Sequence, residues 1–144
     1  VGLAQAVLDL AIAQWFLNPQ SELVNKGALV EAFVGQELLA YADSRIKNNT
    51  YYWHKEGATG HAEVDYLMQM GSTVIPVEVK GGLGRTLKSL QIFLDDHPKS
   101  PYGIRFSAQN YSVHNKVYSY PLYAIAKVMS EKNQEIKQAI TSLL

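Results

Sequence analysis

The chain contains no cysteine, which excludes a disulfide framework and thiolate metal sites and fits a reducing compartment. It carries no net charge either. Thirteen basic and thirteen acidic residues cancel, so nucleic-acid binding would need a local basic patch. Long apolar runs are missing too, none approaching the roughly 20 residues that span a bilayer. The opening "VGLAQAVLDLAIAQWFL" has neither the basic start nor the small-residue cleavage site of a signal peptide. These absences predict a cytoplasmic protein without a membrane segment. No G-x-x-x-x-G-K-[ST] loop occurs, so ATP hydrolysis is not expected of this chain. It lacks a starting Met and opens in mid-pattern, which predicts a piece of a longer protein.

What is present suits one globular domain. The 144 residues are 47% apolar and 18% charged, enough to bury a core and too apolar for disorder. Residues 3–17 have helical spacing and form a lead-in over 1–20 that ends at the break "NPQ". Ser21 is the expected N-cap of a second helix reaching about Tyr41. "SRIKNNT" reads as a loop and "YYWHK" as a strand. "EGATGH" reads as a turn, and 62–70 and 73–80 as two further strands. A Gly-rich loop then carries Arg85 and Lys88 into a helix from about Thr86 to Asp96, which Pro98 and Pro101 end. "YGIRFS" and "KVYSY" are further strands. "PLYAIAKVMS" is a helix with Pro121 at its first position, and 129–144 forms a helical tail. This alternation predicts a single α/β layer domain over 1–144.

The stretch "AEVDYLMQMGSTVIPVEVKGG" sets Asp65, Glu78 and Lys80 inside apolar runs. Gly71-Ser72 suits a type II′ hairpin turn, which places Asp65 opposite Glu78 and Glu63 opposite Lys80. Side chains two apart share a face, so all four project from one side. Val64, Tyr66, Met68 and Met70 then form a core face with Ile75, Val77 and Val79. Facing carboxylates whose Cβ atoms are about 4.5–5.5 Å apart repel, and Lys80, a divalent cation or a proton must offset this. The competing reading is an ordinary solvated face with a Glu-x-Lys ion pair. Pro76 suggests an edge strand or an irregularity.

Glu31 raises the same question on a helix. Within about 60° of it lie Val24, Gly27, Ala28, Val34, Gly35, Leu38 and Ala42, all apolar or small, at about 100° per residue. A carboxylate on such a stripe costs several kcal/mol without a partner. Either a Tyr or backbone group satisfies it, or it meets Asp65, Glu78 and Lys80 in one cluster whose formal charge of −2 a divalent cation neutralises.

A helix Glu, then Asp on the first strand of a hairpin, then Glu-x-Lys on the second, resembles the PD-(D/E)xK nuclease signature. The segments "VGLAQAVL", "KGALVEAFVGQEL", "YYWHKEGATGHAEVDYLM", "IPVEVKGG", "KSLQIFL" and "YPLYAIAK" resemble, in that order, the domain following the ATPase module in a family of prokaryotic AAA+ proteins. That is domain-of-unknown-function family 4143, and the likeness runs from residue 1 to about 128. The resemblance implies a restriction-endonuclease-like core, a mixed β-sheet flanked by helices, and an AAA+ ATPase partner in the same full-length chain. It implies catalytic Glu31, Asp65, Glu78 and Lys80. Mg²⁺ or Mn²⁺ would be held by Asp65, Glu78, the Val79 carbonyl and Glu31, and DNA would be the substrate. Arg85 and Lys88 would track its backbone, or else simply lie exposed in an ordinary strand-to-helix connection. Gln91 would sit in the helix after the Lys. Tyr51, Tyr52 and Trp53 would stack on bases or divide between core and surface. His54, His61, His97 and His114 lack zinc-ligand spacing and receive no role. The alternative from another class is a non-catalytic module that serves the ATPase by binding nucleic acid, protein or its own copies as an oligomer. Neutral charge favours that alternative; the intact acid–acid–Lys set favours the nuclease.

Overall fold

A computed structural model describes residues 26–42, 50–57, 60–81 and 86–141. The expected lead-in helix, the Ser21 cap, the "SRIKNNT" loop up to Asn49 and Arg85 lie outside these residues. Within them, helix α1 (Lys26–Ala40) precedes strands β1 (Tyr51–Gly57), β2 (Gly60–Met70) and β3 (Thr73–Lys80). Helix α2 (Lys88–Asp96), strands β4 (Gly103–Ser107), β5 (Ser112–His114) and β6 (Val117–Pro121), and helix α3 (Ile125–Thr141) follow. The strands form one mixed sheet in the order β1-β2-β3-β4-β6-β5. β1, β2 and β3 are antiparallel neighbours. β3, β4 and β6 run parallel, and β5 returns antiparallel on β6.

Helices cover both faces, so the expected α/β mixed sheet flanked by helices is present. On one face Val34 and Leu38 of α1 and Ile125, Val128 and Met129 of α3 close over Met70, Ile75, Val77, Val79, Ile104 and Phe106. On the other, Leu90, Phe93 and Leu94 of α2 pack on Val64 and Val117. β3 is buried from Ile75 to Val79, which is why "VIPVEV" reads as a nearly unbroken apolar run.

The β2–β3 turn follows its sequence. Gly71 has φ +60 while Ser72 is not among the positive-φ residues, as a type II′ turn requires. Register runs from Met70↔Thr73 to Tyr66↔Val77, the pairing that this turn dictates. Pro76 is not on an edge; it is buried in an interior strand. Its nitrogen lies on the β4 side by the alternation of strand donors, just before the β3–β4 ladder opens at Val77↔Ile104. The missing N–H therefore removes no ladder bond.

Three elements differ from expectation. "EGATGH" is not all turn, because Glu56 and Gly57 belong to β1 and Gly60 and His61 to β2. Pro121 closes β6 in an extended conformation (φ −65, ψ 147) and precedes a 3₁₀ turn, Leu122–Ala124, so it does not open the helix. β5 is a strand that three exposed residues did not announce. It joins β6 through Asn115 and Lys116, with φ 45 and 64, the two positive angles of a type I′ turn. Lys at the second position, where Gly is usual, hid the hairpin.

Candidate functional site

One residue of irregularity at Asp65 organises the site. Tyr51 pairs with Leu67 but Trp53 pairs with Val64, so β2 carries one more residue than β1 across this interval, a β-bulge. The bulge reverses the facing of β2. Val64 joins the α2-side core while Tyr66 packs on the α1-side core. The expectation that Val64 and Tyr66 share a face is therefore corrected, as is the expectation that Glu63, Asp65, Glu78 and Lys80 do. Glu78 and Lys80 alternate with Val77 and Val79 and so leave β3 on the α2 side.

Asp65 sits at the junction. Its Oδ2 accepts the Val79 backbone N–H at 2.6 Å, replacing a ladder bond with a side-chain one. The Val79 carbonyl points the same way as its N–H, towards Asp65. Burial raises the Asp65 pKa, although the Val79 N–H and the Lys80 charge pull it down.

Glu78 is 5% exposed, and burial raises its pKa against the lowering effect of its bond to Lys80. Its Oε1 pairs with the Lys80 Nζ, while its Oε2 is buried with no hydrogen-bond partner among the described residues. Burial alone would lower the Lys80 pKa, but the bond and charge of Glu78, then Asp65 and Glu31, hold it above its ordinary value. Lys80 is thus a firmly charged ammonium.

Glu31 does not occupy the centre of a buried stripe. Val34, Gly35 and Leu38 are buried, while Gly27, Ala28 and Glu31 are exposed, because the start of α1 overhangs the sheet. Its carboxylate lines an open cleft of about 280 Å³ with Tyr51, Tyr52, Glu63, Asp65 and Tyr66. Partial burial raises its pKa, and the negative charges of Asp65 and Glu63 add to this. Glu31 therefore meets Asp65 and Glu63 as like charges across the cleft, with the Lys80 charge opposing them. Tyr66 fixes the approach: its hydroxyl donates to the Glu31 backbone carbonyl at 3.1 Å. A Cβ on Gly35 would lie 2.5 Å from that hydroxyl, so glycine is what lets α1 sit this close.

The remaining expected residues are dispersed. Lys88 is exposed at the first position of α2, and Gln91 is half-buried one turn on. Tyr51 and Tyr52 are exposed beside the cleft, whereas Trp53 packs edge-on against Phe93 at 5.3 Å.

Two groups went unread in the sequence. Arg105 is 3% exposed and pairs with Glu78 across β3–β4. Its Nη2 donates to Gln109 Oε1 at 3.1 Å, its Nε is unpartnered among the described residues, and burial lowers its pKa against the Glu78 charge. A lone charge inside "YGIRFS" was the available signal, the same one that marks Asp65. The second group is His54, Glu56 and His61, whose ligand atoms lie within 4.8 Å of one another. Sequence spacing hides it because the ligands come together across strands.

Among the described residues no helix is long and apolar enough to cross a membrane. No curated protein matches the chain. The family model for a domain of unknown function, DUF4143, matches residues 26–125. That span covers both faces of the core and every site residue above, and the chain belongs to this family.

Proposed function

We propose that this domain hydrolyses phosphodiester bonds of DNA with Mg²⁺ or Mn²⁺, at a site built from Asp65, Glu78, Lys80 and Glu31. The observation that carries the reading is Glu78 Oε2, a buried carboxylate oxygen without a partner among the described residues, beside a second acid whose pKa burial also raises. A buried acceptor left unpaired costs about 1–3 kcal/mol. An oxygen-loving cation beside Asp65 and Glu78 removes that cost, and the all-oxygen donor set suits Mg²⁺ or Mn²⁺. Asp65, Glu78 and the Val79 carbonyl would hold the ion, with Glu31 reaching it through water. When bound, such an ion supplies Lewis acidity toward the phosphate and acidifies water. Lys80, kept protonated by Glu78, donates hydrogen bonds to the non-bridging phosphate oxygens on which charge grows and is too basic to serve as the proton acceptor. In the hydrolysis water's oxygen bonds to phosphorus, the bond to the leaving sugar oxygen breaks, and that oxygen takes a proton. The order of helix Glu, bulged Asp and Glu-x-Lys on a mixed sheet supports a restriction-endonuclease-like core, and the resemblance supports an AAA+ ATPase in the full-length protein.

A second reading has its own observation. Lys80 already pairs with Glu78, so one acid is neutralised without a metal. With no net charge, this favours a non-catalytic module of the ATPase. Plasmid and end-labelled single- and double-stranded DNA, incubated with the chain and Mn²⁺, separate the two. Cleavage that falls about 10²–10³-fold or more in Asp65→Asn and Lys80→Ala supports the nuclease. Cleavage that survives both changes removes these residue roles, and none by the wild type favours the module.

A further inference from the structure

We propose that the β1–β2 ribbon carries a second cation site, in which His54, Glu56 and His61 hold a borderline transition-metal ion, Zn²⁺ first among them. The register brings the three together: Glu56 pairs directly with His61, and His54 pairs with Glu63. His54 and Glu56 are two residues apart on one strand and His61 and Glu63 on the other, so all four leave one face of the ribbon. Trp53 and Lys55 leave the opposite face, Trp53 against Phe93 and Lys55 in an ion pair with Asp96 at 2.6 Å. The α2 side is thereby filled, and the histidine face is left to solvent.

The ligand atoms of His54, Glu56 and His61 lie within 4.8 Å of one another. Zinc ligands at about 2.0–2.2 Å in a tetrahedron stand about 3.4 Å apart. All three side chains are exposed, so rotation about their side-chain bonds closes the difference without moving the backbone. The imidazoles already stack, with centroids 5.8 Å apart and planes 16° off parallel. No hydrogen bond or ion pair among the described residues occupies the ligand atoms of these three side chains.

Donor chemistry separates this group from the acid cluster. Two imidazoles and one carboxylate select Zn²⁺ and its neighbours over Mg²⁺, whereas the cleft offers oxygen alone. Three protein ligands leave a coordination position for water or an incoming group. Glu63, the cross-strand partner of His54, also lines the cleft with Asp65. A metal here therefore sits one residue pair along the ribbon from the acids and ties the edge strand bearing Tyr51 and Tyr52 to β2.

Calorimetry with Zn²⁺ on the tag-free chain, with millimolar Mg²⁺ present to fill the oxygen site, tests this. One Zn²⁺ per chain is expected. Losing even an outer-shell partner of a metal costs about 10–100-fold, so His54→Ala and His61→Ala should weaken binding by more than that. Glu56→Gln should weaken it less, and His114→Ala and Asp65→Asn not at all. His54→Ala, His61→Ala and Glu56→Gln, all at exposed positions, should leave thermal melting of the metal-free chain unchanged, which separates lost ligands from lost fold. Binding retained by both histidine variants, binding lost in Asp65→Asn instead, or no binding by the wild type overturns the proposal.

Discussion

The β2–β3 hairpin has two ends of opposite character. At the turn end, Met68, Met70 and Ile75 join the α1-side core, and two backbone carbonyls gain side-chain donors. Thr73 Oγ1 donates to the Met70 carbonyl at 2.9 Å, and Ser100 Oγ donates to the Val74 carbonyl at 2.6 Å. At the open end, ten to fifteen ångströms along by strand rise of about 3.3 Å per residue, a bulge splays the strands. There Asp65, Glu78 and Glu31 are all held above their usual pKa, and Glu78 Oε2 has no partner among the described residues. The turn end stabilises the fold; the open end gives up stability for a charged cleft, a trade commonly found where a site does chemistry.

The largest expected effect belongs to the turn end. Ile75→Ala removes a side chain that is 1% exposed and should cost about 2–5 kcal/mol, seen as a thermal midpoint lower by roughly 10 °C. A loss under about 1 kcal/mol would show that this end is not the better packed one. Gly35→Ala should come next, at about 1–3 kcal/mol, because its Cβ meets the Tyr66 hydroxyl. Its signature is local: metal affinity at the open end should fall as well, since Tyr66 sets the distance between α1 and β2. Gly27→Ala, with nothing among the described residues within 4 Å of the new Cβ, is the control: it should leave metal affinity unchanged and stability unchanged or higher by up to about 1 kcal/mol, because Ala favours the helix.

The smallest effect has the opposite sign. Folded-state pKa values above the unfolded ones mean that, between the two, the folded chain binds more protons. Stability of the metal-free chain should therefore fall as pH rises from the ordinary carboxylate range through the raised values. Asp65→Asn should flatten that fall and match or exceed wild-type stability at neutral pH, by up to about 1 kcal/mol. Urea melts of both chains across that pH range check it. A variant clearly less stable than wild type at neutral pH would mean that the Val79 and Lys80 contacts outweigh burial at Asp65.

Much of this contrast was legible in the sequence. Gly71-Ser72 fixed the turn and hence the register of Tyr66–Met70 on Thr73–Val77, because a two-residue turn leaves no freedom in pairing. The apolar β3 run and the helix spacing of Val34 and Leu38 pointed to the core. The bulge was not legible: "AEVDYL" alternates smoothly, and only pairing to β1 reveals the extra residue. Missing it placed Glu63, Asp65, Glu78 and Lys80 on one face, when Asp65 in fact bridges two. Glu31 was misplaced because helical spacing gives neighbours without saying where the sheet stops beneath them. Arg105 carried the same signal as Asp65, while His54, Glu56 and His61 meet only through the β1–β2 register.

The central claim is that the open end is a cation site in waiting. Calorimetric titration of Mg²⁺ or Mn²⁺ into the wild type and Asp65→Asn, at physiological salt and with His54→Ala in both backgrounds to silence the ribbon, tests it most directly. Binding by the wild type that disappears in Asp65→Asn is the expected result. Equal binding by both chains would place the cation elsewhere, and no binding by the wild type would mean that Lys80 alone neutralises these acids.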